Sequence, residues 1–331
     1  MEKIDFVMIW VDGNDPEWQK EKNLYDKSNK TGDSTIVRYR SWDNLQYWFR
    51  AVEKFAPWVN KIHFVTWGHL PPWLDTTNPK LNVVNHKDYI PAEYLPTFNA
   101  NTIELNLHRI KGLADQFVYF NDDMFITAPV EPTDFFVDGK PRDTYGLDCI
   151  FFGKTSAGHF NGNDIEIINA HFDRREAMKK NRGKWFTPKN GVKRVIKTTA
   201  LTLWPWFPGM YYDHLPSRFL KSTCETLWEL EGEIMDATCR DKFRTKNNVN
   251  QWVYKYWQLA SGIAVPMGTS EGRCFHIKDS LFDELLRSIE TGRYKEICIN
   301  DTVNTTNFEL QKQQVIDAFE KLLPEKSGFE K

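Results

Sequence analysis

Short runs of apolar, β-branched and aromatic residues recur along the chain: IDFVMIWV (4–11), KIHFVTW (61–67), LNVVN (81–85), FVYF (117–120), CIFF (149–152) and EICI (296–299). Each has the length and composition of a β-strand. Between them the apolar period lengthens. In SWDNLQYWFRAVEKFA, Trp42, Leu45, Phe49, Val52 and Ala56 return every three or four residues behind Ser41, a residue suited to capping a helix. ANTIELNLHRIKGLADQ repeats the pattern through Ile103, Leu107, Ile110 and Ala114, predicting a helix over 100–115. Strands alternating with helices predict an α/β fold whose ligand site lies at the carboxyl ends of the strands.

The rhythm breaks after 152. Over 153–210 Gly, Asn and Lys become common and periodicity fades, so this stretch reads as an irregular, basic and aromatic-rich insertion. Helical patterns return at 215–235, 247–260, 280–290 and 307–323. Three parts follow: 1–152 as the α/β part of the core, 153–210 as the insertion, and 211–331 as a helical remainder of the same core. The central sheet is expected to be Rossmann-like or GT-A-like, with flanking helices.

The chain has 331 residues, 41% hydrophobic and 15% aromatic, with 13 Trp and 23 Phe, enough to bury a sizeable core and to offer stacking surfaces to sugars. A net charge of −2 supplies no field for nucleic acid, and no nucleic-acid motif appears, so that class is set aside. The five cysteines, Cys149, Cys224, Cys239, Cys274 and Cys298, contain no CxxC pair; their spread argues against a disulfide framework or zinc site and for a reducing compartment. MEKIDFVMIWVDG reads as a first strand, and no run reaches the ~18 apolar residues of a membrane span. A cytoplasmic protein, at most peripheral at the membrane, is expected.

The chemistry concentrates where apolar runs end in acids. In QFVYFNDDMFITAPV, Asn121, Asp122 and Asp123 lie between two apolar runs. Adjacent carboxylates there repel each other and are costly to desolvate unless a cation or hydrogen-bond donors offset them. Hard oxygen ligands suit Mg²⁺ or Mn²⁺; the alternative is a simple turn or cap. ICINDTV (297–303) ends the same way, and Asn300 and Asp301 either cap a helix or complete a metal shell. In WVDGNDPEW, Asp12, Gly13, Asn14 and Asp15 follow the first strand as a turn or as contacts to a nucleotide donor. On the 100–115 helix, Asn101, Glu104, His108 and Lys111 share a face opposite the apolar stripe, either solvated or lining the cleft, and Arg109 could grip a phosphate. His214 in YYDHLPSRFL and Arg244 in KFRTKNNVNQW are further candidates, each weak alone.

Together these blocks resemble the Stealth family of sugar-phosphate transferases. IDFVMIWVDGNDPEW looks like its first block, RYRSWDNLQYWFRAVEKFAPWVNKIHFVTWGHLPPWL through NDDMFI its second, DHLPSRF through FRTKNNVNQWVYKYW its third, and ICINDTV its fourth. The resemblance implies transfer of a sugar 1-phosphate from a UDP-sugar to an acceptor hydroxyl, releasing UMP, with Mg²⁺ or Mn²⁺. Asp122 and Asp123 become metal and diphosphate ligands or catalytic carboxylates, with Asp301 joining the metal shell. Glu104 and Arg109 fall within the second block. His214 becomes an acid or base near its ordinary pKa, and Arg244 a phosphate clamp. The third block departs from the pattern: Ser217 stands where some members have a second histidine, and Lys246, Asn247 and Asn248 stand where acidic residues can occur.

Two other readings remain: a metal-dependent GT-A-type glycosyltransferase that releases UDP, and a non-catalytic carbohydrate-binding protein. Arg174 to Lys197 holds ten Lys or Arg and one Glu, followed by LTLWPWFPGMYY. This combination suits an anionic bilayer carrying a lipid-linked acceptor, or else a solvated loop beside a core segment.

Overall fold

The computed structural model describes residues 2–26, 41–153, 157–277, 279–301 and 307–331. Residues 38–40 of the second block, 154–156 of the insertion and 302–303 of ICINDTV lie outside these. The strands are β1 (Ile4–Ile9), β2 (Ile62–Thr66), β3 (Leu81–Asn85), β4 (Gln116–Phe120), β5 (Met124–Ile126), β6 (Phe136–Val137), β7 (Lys140–Asp143), β8 (Ser217–Leu220), β9 (Val265–Pro266), β10 (Gly272–His276) and β11 (Glu296–Asn300).

The central sheet has the order β3-β2-β1-β4-β8. Its first four members are parallel, and β8 runs antiparallel to β4. Parallel neighbours require crossovers that cover both faces, which is why β1, β2 and β4 read as nearly unbroken apolar runs. Strand alternation still sorts the side chains. Phe6, Met8, Val118 and Phe120 pack with Trp48, Phe49 and Val52 of the Leu45–Phe55 helix and Phe319 of the Phe308–Leu322 helix. Val7, Phe117 and Tyr119 face Leu105, Leu227, Met235 and Val253 on the other side. Withdrawing each such apolar side chain from water is worth about 1.5–3 kcal/mol.

Because β1 to β4 point the same way, the loops after Ile9, Thr66, Asn85 and Phe120 open on one edge. At that edge the chain changes sheets: residues 121–123 join β4 of the central sheet to β5 of a second sheet, ordered β10-β11-β5. A third small sheet has the order β6-β7-β9.

The structure departs from the sequence reading in four places. CIFF forms no strand; nothing pairs with it as a ladder, and Phe151 and Phe152 are exposed. Ser41 is no helix cap, since Asn44 holds the N-cap position and Ser41 Oγ instead accepts from the Asp43 N–H at 3.0 Å. The 100–115 helix is only Ala100–Leu105, followed by a 3-10 turn at Leu107–Arg109. Its Asn101, Glu104 and His108 are buried, because helices from beyond residue 220 cover the side that looked solvated.

The insertion is the fourth departure, being largely helical. Gly158–His171, Arg174–Lys180, Arg182–Trp185 and Val192–Leu201 are α-helices. Ile165, Ile168, Met178, Trp185 and Phe207 share a core with Tyr256 and Leu259 of the Trp252–Ala260 helix. Arg174–Lys180 and Arg182–Trp185 are too short to show two full apolar turns, and Gly158–His171 sends Ile167 to one core and Ile165 and Ile168 to another, so neither case leaves a single stripe to read. The later helices Lys221–Leu230, Trp252–Ala260, Asp279–Thr291 and Phe308–Leu322 fall where the pattern predicts, with 217–220 given to β8, whereas Gly232–Arg240 is a separate helix that runs past the expected end at 235. No helix among the described residues is long and apolar enough to cross a membrane.

Candidate active site

The corner at 121–123 is shaped by backbone bonds from both sheets. Asn121 O accepts from the Met124 N–H at 3.1 Å, and Asp123 O accepts from the Ile299 N–H at 2.8 Å. The β4–β8 register pairs Tyr119 with Ser217; carried past the end of the ladder, it sets His214 against the acidic pair. His214 Nε2 lies 3.3 Å from Asp123 Oδ2. From the other sheet, Cys298 pairs with Met124, and its thiol donates to the same Asp123 oxygen at 3.3 Å. Asp123 Oδ1 is buried and has no hydrogen-bond partner.

These placements bias the protonation states. Withdrawal from water works against a charged His214, but the Asp123 carboxylate beside it more than offsets this and holds the imidazole up to about 9. His214 is therefore raised above the ordinary histidine value that the sequence suggested, toward the charged form. Asp122 is solvent-exposed. Its carboxyl is pushed up to about 7, first by desolvation and then by the charge of Asp123. Because water reaches Asp122, the like charge is the firmer of these causes.

A second layer backs the corner. Glu104 is buried, which raises its carboxyl, while the Arg244 guanidinium, the Tyr119 hydroxyl and His214 pull the other way. Tyr119 donates to Glu104 Oε1 at 2.9 Å and also meets the Asn121 side chain. One hydroxyl proton serves one acceptor, so both contacts are satisfied when the Asn121 amide turns its NH₂ toward the tyrosine oxygen. Thus Asn121, Glu104 and Arg244 are linked to the acidic pair.

The segment bearing His214 is fastened by buried charges. Lys255 Nζ lies 2.9 Å from Asp213 Oδ1 and 3.0 Å from Asp143 Oδ1. Arg218 reaches Glu296 at 2.6 Å and donates to Pro216 O at 2.6 Å. Sequence reasoning missed this network, although a lysine among the aromatics of WVYKYW is the kind of residue that burial makes costly without a partner.

Residues 2–30 match Stealth protein CR1, conserved region 1, and residues 38–143 match Stealth protein CR2, conserved region 2. The chain is 43% identical over 334 aligned residues to a capsular polysaccharide phosphotransferase, WcwK, of Streptococcus pneumoniae, covering 100% of both chains. The chain belongs to the Stealth family. It is also 36% identical to the exopolysaccharide phosphotransferase cps2G of Lactiplantibacillus plantarum, over 99% of this chain and 96% of that one. Among solved structures, the galactosyltransferase LgtC aligns over 95% of each chain at 10% identity with a TM-score of 0.40, too loose a likeness to carry an argument.

The two matched Stealth regions contain β1 with its following loop and β2 through β5 with the acidic corner; His214, Arg244, Cys298 and Asp301 lie outside them in sequence. Other expected site residues are placed differently. Asp12 Oδ1 accepts from the Asn14 N–H, and Asp15 Oδ1 caps the Pro16–Tyr25 helix through the Glu17 and Trp18 N–H groups, all at 2.9 Å. Gly13 O accepts from the Gln19 amide at 2.7 Å. His69, which the sequence reading passed over, closes this loop: its Nε2 accepts from the Asp12 N–H at 2.7 Å and its Nδ1 lies 3.3 Å from Asp15. The loop shares the sheet edge with the corner, but these groups are engaged as turn and cap.

Arg109 turns away: its Nε donates to Asn106 Oδ1 at 3.0 Å and its guanidinium stacks 4.6 Å over Trp228. Asn101 is buried with its Nδ2 unpartnered. Asp301 follows the end of β11, the strand whose Ile299 bonds Asp123. Among the described residues, the ligand atoms that gather within 4.8 Å are those of Asp123, His214 and Cys298. Cys298 sits one alternation before Asn300 in ICINDTV, so the strand period was the signal that could have found it. Mg²⁺ or Mn²⁺ fits the corner through the hard oxygens of Asp122 and Asp123, whose buried, unpartnered Oδ1 is an acceptor suited to a cation.

Proposed function

We propose that this Stealth family member transfers a sugar 1-phosphate from a UDP-sugar to a hydroxyl of a glycan acceptor in capsule or exopolysaccharide synthesis, forming a phosphodiester and releasing UMP. The observation that carries this reading is the meeting of paired carboxylates with His214, backed by Arg244, at the carboxyl edge of a parallel sheet. The relatives' names, capsular and exopolysaccharide phosphotransferases, support it.

Asp122 and Asp123, with Asp301 beyond β11, would hold Mg²⁺ or Mn²⁺, which when bound neutralises the diphosphate. The acceptor oxygen attacks the phosphorus bearing the sugar and its proton passes to a carboxylate; the bridging P–O bond breaks and its electron pair leaves with UMP. His214 would offer an N–H toward the reacting phosphates, and Arg244 would add a positive charge. Purified protein given a series of UDP-sugars, Mg²⁺ and acceptor glycan should yield UMP by chromatography and a phosphodiester signal by ³¹P NMR. UDP with a phosphorus-free product would establish the GT-A-type reaction instead, and no turnover of any donor would favour a carbohydrate-binding protein.

The acceptor is lipid-linked in this reading, and the protein meets an anionic membrane through the insertion. Leu203, Trp204 and Trp206 are exposed after the end of the Val192–Leu201 helix, on which Val192 and Ile196, one turn apart, are also exposed. Exposed Arg175, Lys179 and Lys193 remain for headgroups, whereas Arg174, Lys184, Arg194 and Lys197 are engaged by protein groups. Flotation with anionic vesicles should exceed that with zwitterionic ones and fall in a Trp204→Ser/Trp206→Ser variant; equal flotation on both lipids would retire the membrane contact.

A further inference from the structure

The donor set behind the acidic corner is chemically mixed: an oxygen of Asp123, a nitrogen of His214 and a sulfur of Cys298, delivered by three separate segments. Asp123 Oδ2 is the shared member, 3.3 Å from both His214 Nε2 and Cys298 Sγ. A tetrahedral Zn²⁺ with bonds of about 2.0 Å to nitrogen and oxygen and about 2.3 Å to sulfur sets neighbouring ligand atoms roughly 3.3–3.5 Å apart. Octahedral Mg²⁺, at about 2.1 Å, sets adjacent oxygens roughly 3.0 Å apart and does not favour sulfur. Two edges of the trio match the tetrahedral spacing, the third lies within 4.8 Å, and the softness of the set favours the same class of ion. His214 and Asp123 keep side-chain exposures of 25% and 28% while Cys298 is buried, so an ion would enter from the side of His214 and Asp123.

We infer that Asp123, His214 and Cys298 form a site for a zinc-class divalent ion, distinct in ligand chemistry from the Mg²⁺ or Mn²⁺ seat on the Asp122 side of the corner. Binding forms bonds to Asp123 Oδ2, His214 Nε2 and the Cys298 thiolate. It releases the thiol proton and the imidazolium proton to solvent, with no change in oxidation state. Cys274 stands across the ladder from Cys298 but outside the trio. Since the ion takes Asp123 and His214 out of use, Zn²⁺ inhibits transfer; this last consequence alone rests on the proposed function.

The test needs no substrate. Co²⁺ titrated into the full chain, first treated with chelator, should produce a sulfur-to-cobalt charge-transfer band that saturates at one equivalent. One equivalent of Zn²⁺ should abolish the band, while excess Mg²⁺ leaves it. Cys298→Ser should lose the band and Cys274→Ser should keep it. Zinc-edge X-ray absorption of the wild-type complex should count one sulfur among the ligands, which decides the matter even if Cys298→Ser folds poorly. Absence of a sulfur band, its persistence in Cys298→Ser, its loss in a folded Cys274→Ser, or a zinc shell without sulfur would overturn the assignment. In the transfer assay, Zn²⁺ should lower turnover at least about tenfold in Mg²⁺ buffer; a bound zinc that leaves turnover intact would overturn the inhibitory role.

Discussion

Lys255→Met isolates the electrostatics that fasten the His214 segment. Methionine keeps most of the apolar stem and removes only the charged end. The lysine side chain is 5% exposed, between Asp143 at 8% and Asp213 at 15%, with contacts of 3.0 and 2.9 Å. Removing one member of a buried ionic group leaves the others uncompensated and costs about 3–5 kcal/mol. The exposure of Asp213 argues for the lower half of that range, roughly two orders of magnitude in the folding constant. The loss has a definite pH sign. Without the ammonium, desolvation and mutual repulsion raise both carboxyls in the folded state, so the penalty is absent below the unfolded carboxylate pKa of about 3.9, grows as pH rises from there toward the raised folded values, and is full only above them. Urea unfolding followed by tryptophan fluorescence, at about pH 7.5 and about pH 4.5, should give a larger deficit at the higher pH. Adding Asp143→Asn should recover part of it. A deficit under about 1 kcal/mol at neutral pH, or one equal at both pH values, would refute the claim that charge compensation holds this segment.

Three further outcomes follow from the same geometry. Asp123→Asn should lower turnover at least about 100-fold with the circular dichroism spectrum retained, and near-normal turnover at limiting Mg²⁺ would reject its proposed role. Asp5, buried in β1, is raised by desolvation, but hydrogen bonds from His63, Asn60 and the Ala114 N–H win and leave its pKa lowered. Its stabilisation is therefore present above about pH 3.9 and lost as pH falls through the folded value, and the acid-unfolding profile of Asp5→Asn should lack that component. Gly209 has φ of 150°, and a Cβ there would lie 2.7 Å from Asp148 O; Gly209→Ala should lower stability by about 1–3 kcal/mol in thermal unfolding, with no loss expected at the exposed Gly183, where a Cβ meets nothing within 4 Å.

Local pattern made much of the candidate site legible. The acidic pair stands out because two carboxylates between apolar runs are conspicuous, and FVYF before them predicts the strand they terminate. The polar face of the short Ala100–Leu105 helix is a different case: Glu104 and Asn101 look like solvent-facing residues until the elements that cover them are known. Cys298 was passed over because isolated cysteines carry little information until a strand aims one at a carboxylate from 175 residues away. The insertion's helices escaped because short, shared-core helices distribute their apolar residues among neighbours instead of along one stripe.

By itself, the sequence determined the parallel strands, the long amphipathic helices and the position of the acids at a strand's end. Strand and helix periods are properties of neighbouring residues, and a buried apolar run needs no partner to be recognised. Only the tertiary structure decided that Asp123 meets His214 and Cys298, that the neighbouring carboxylate raises the His214 pKa, that Arg109 stacks on Trp228, and that His69 closes the Asp12–Asp15 loop. Those outcomes depend on distances between segments remote in the chain, and on how much water each charge loses when they come together.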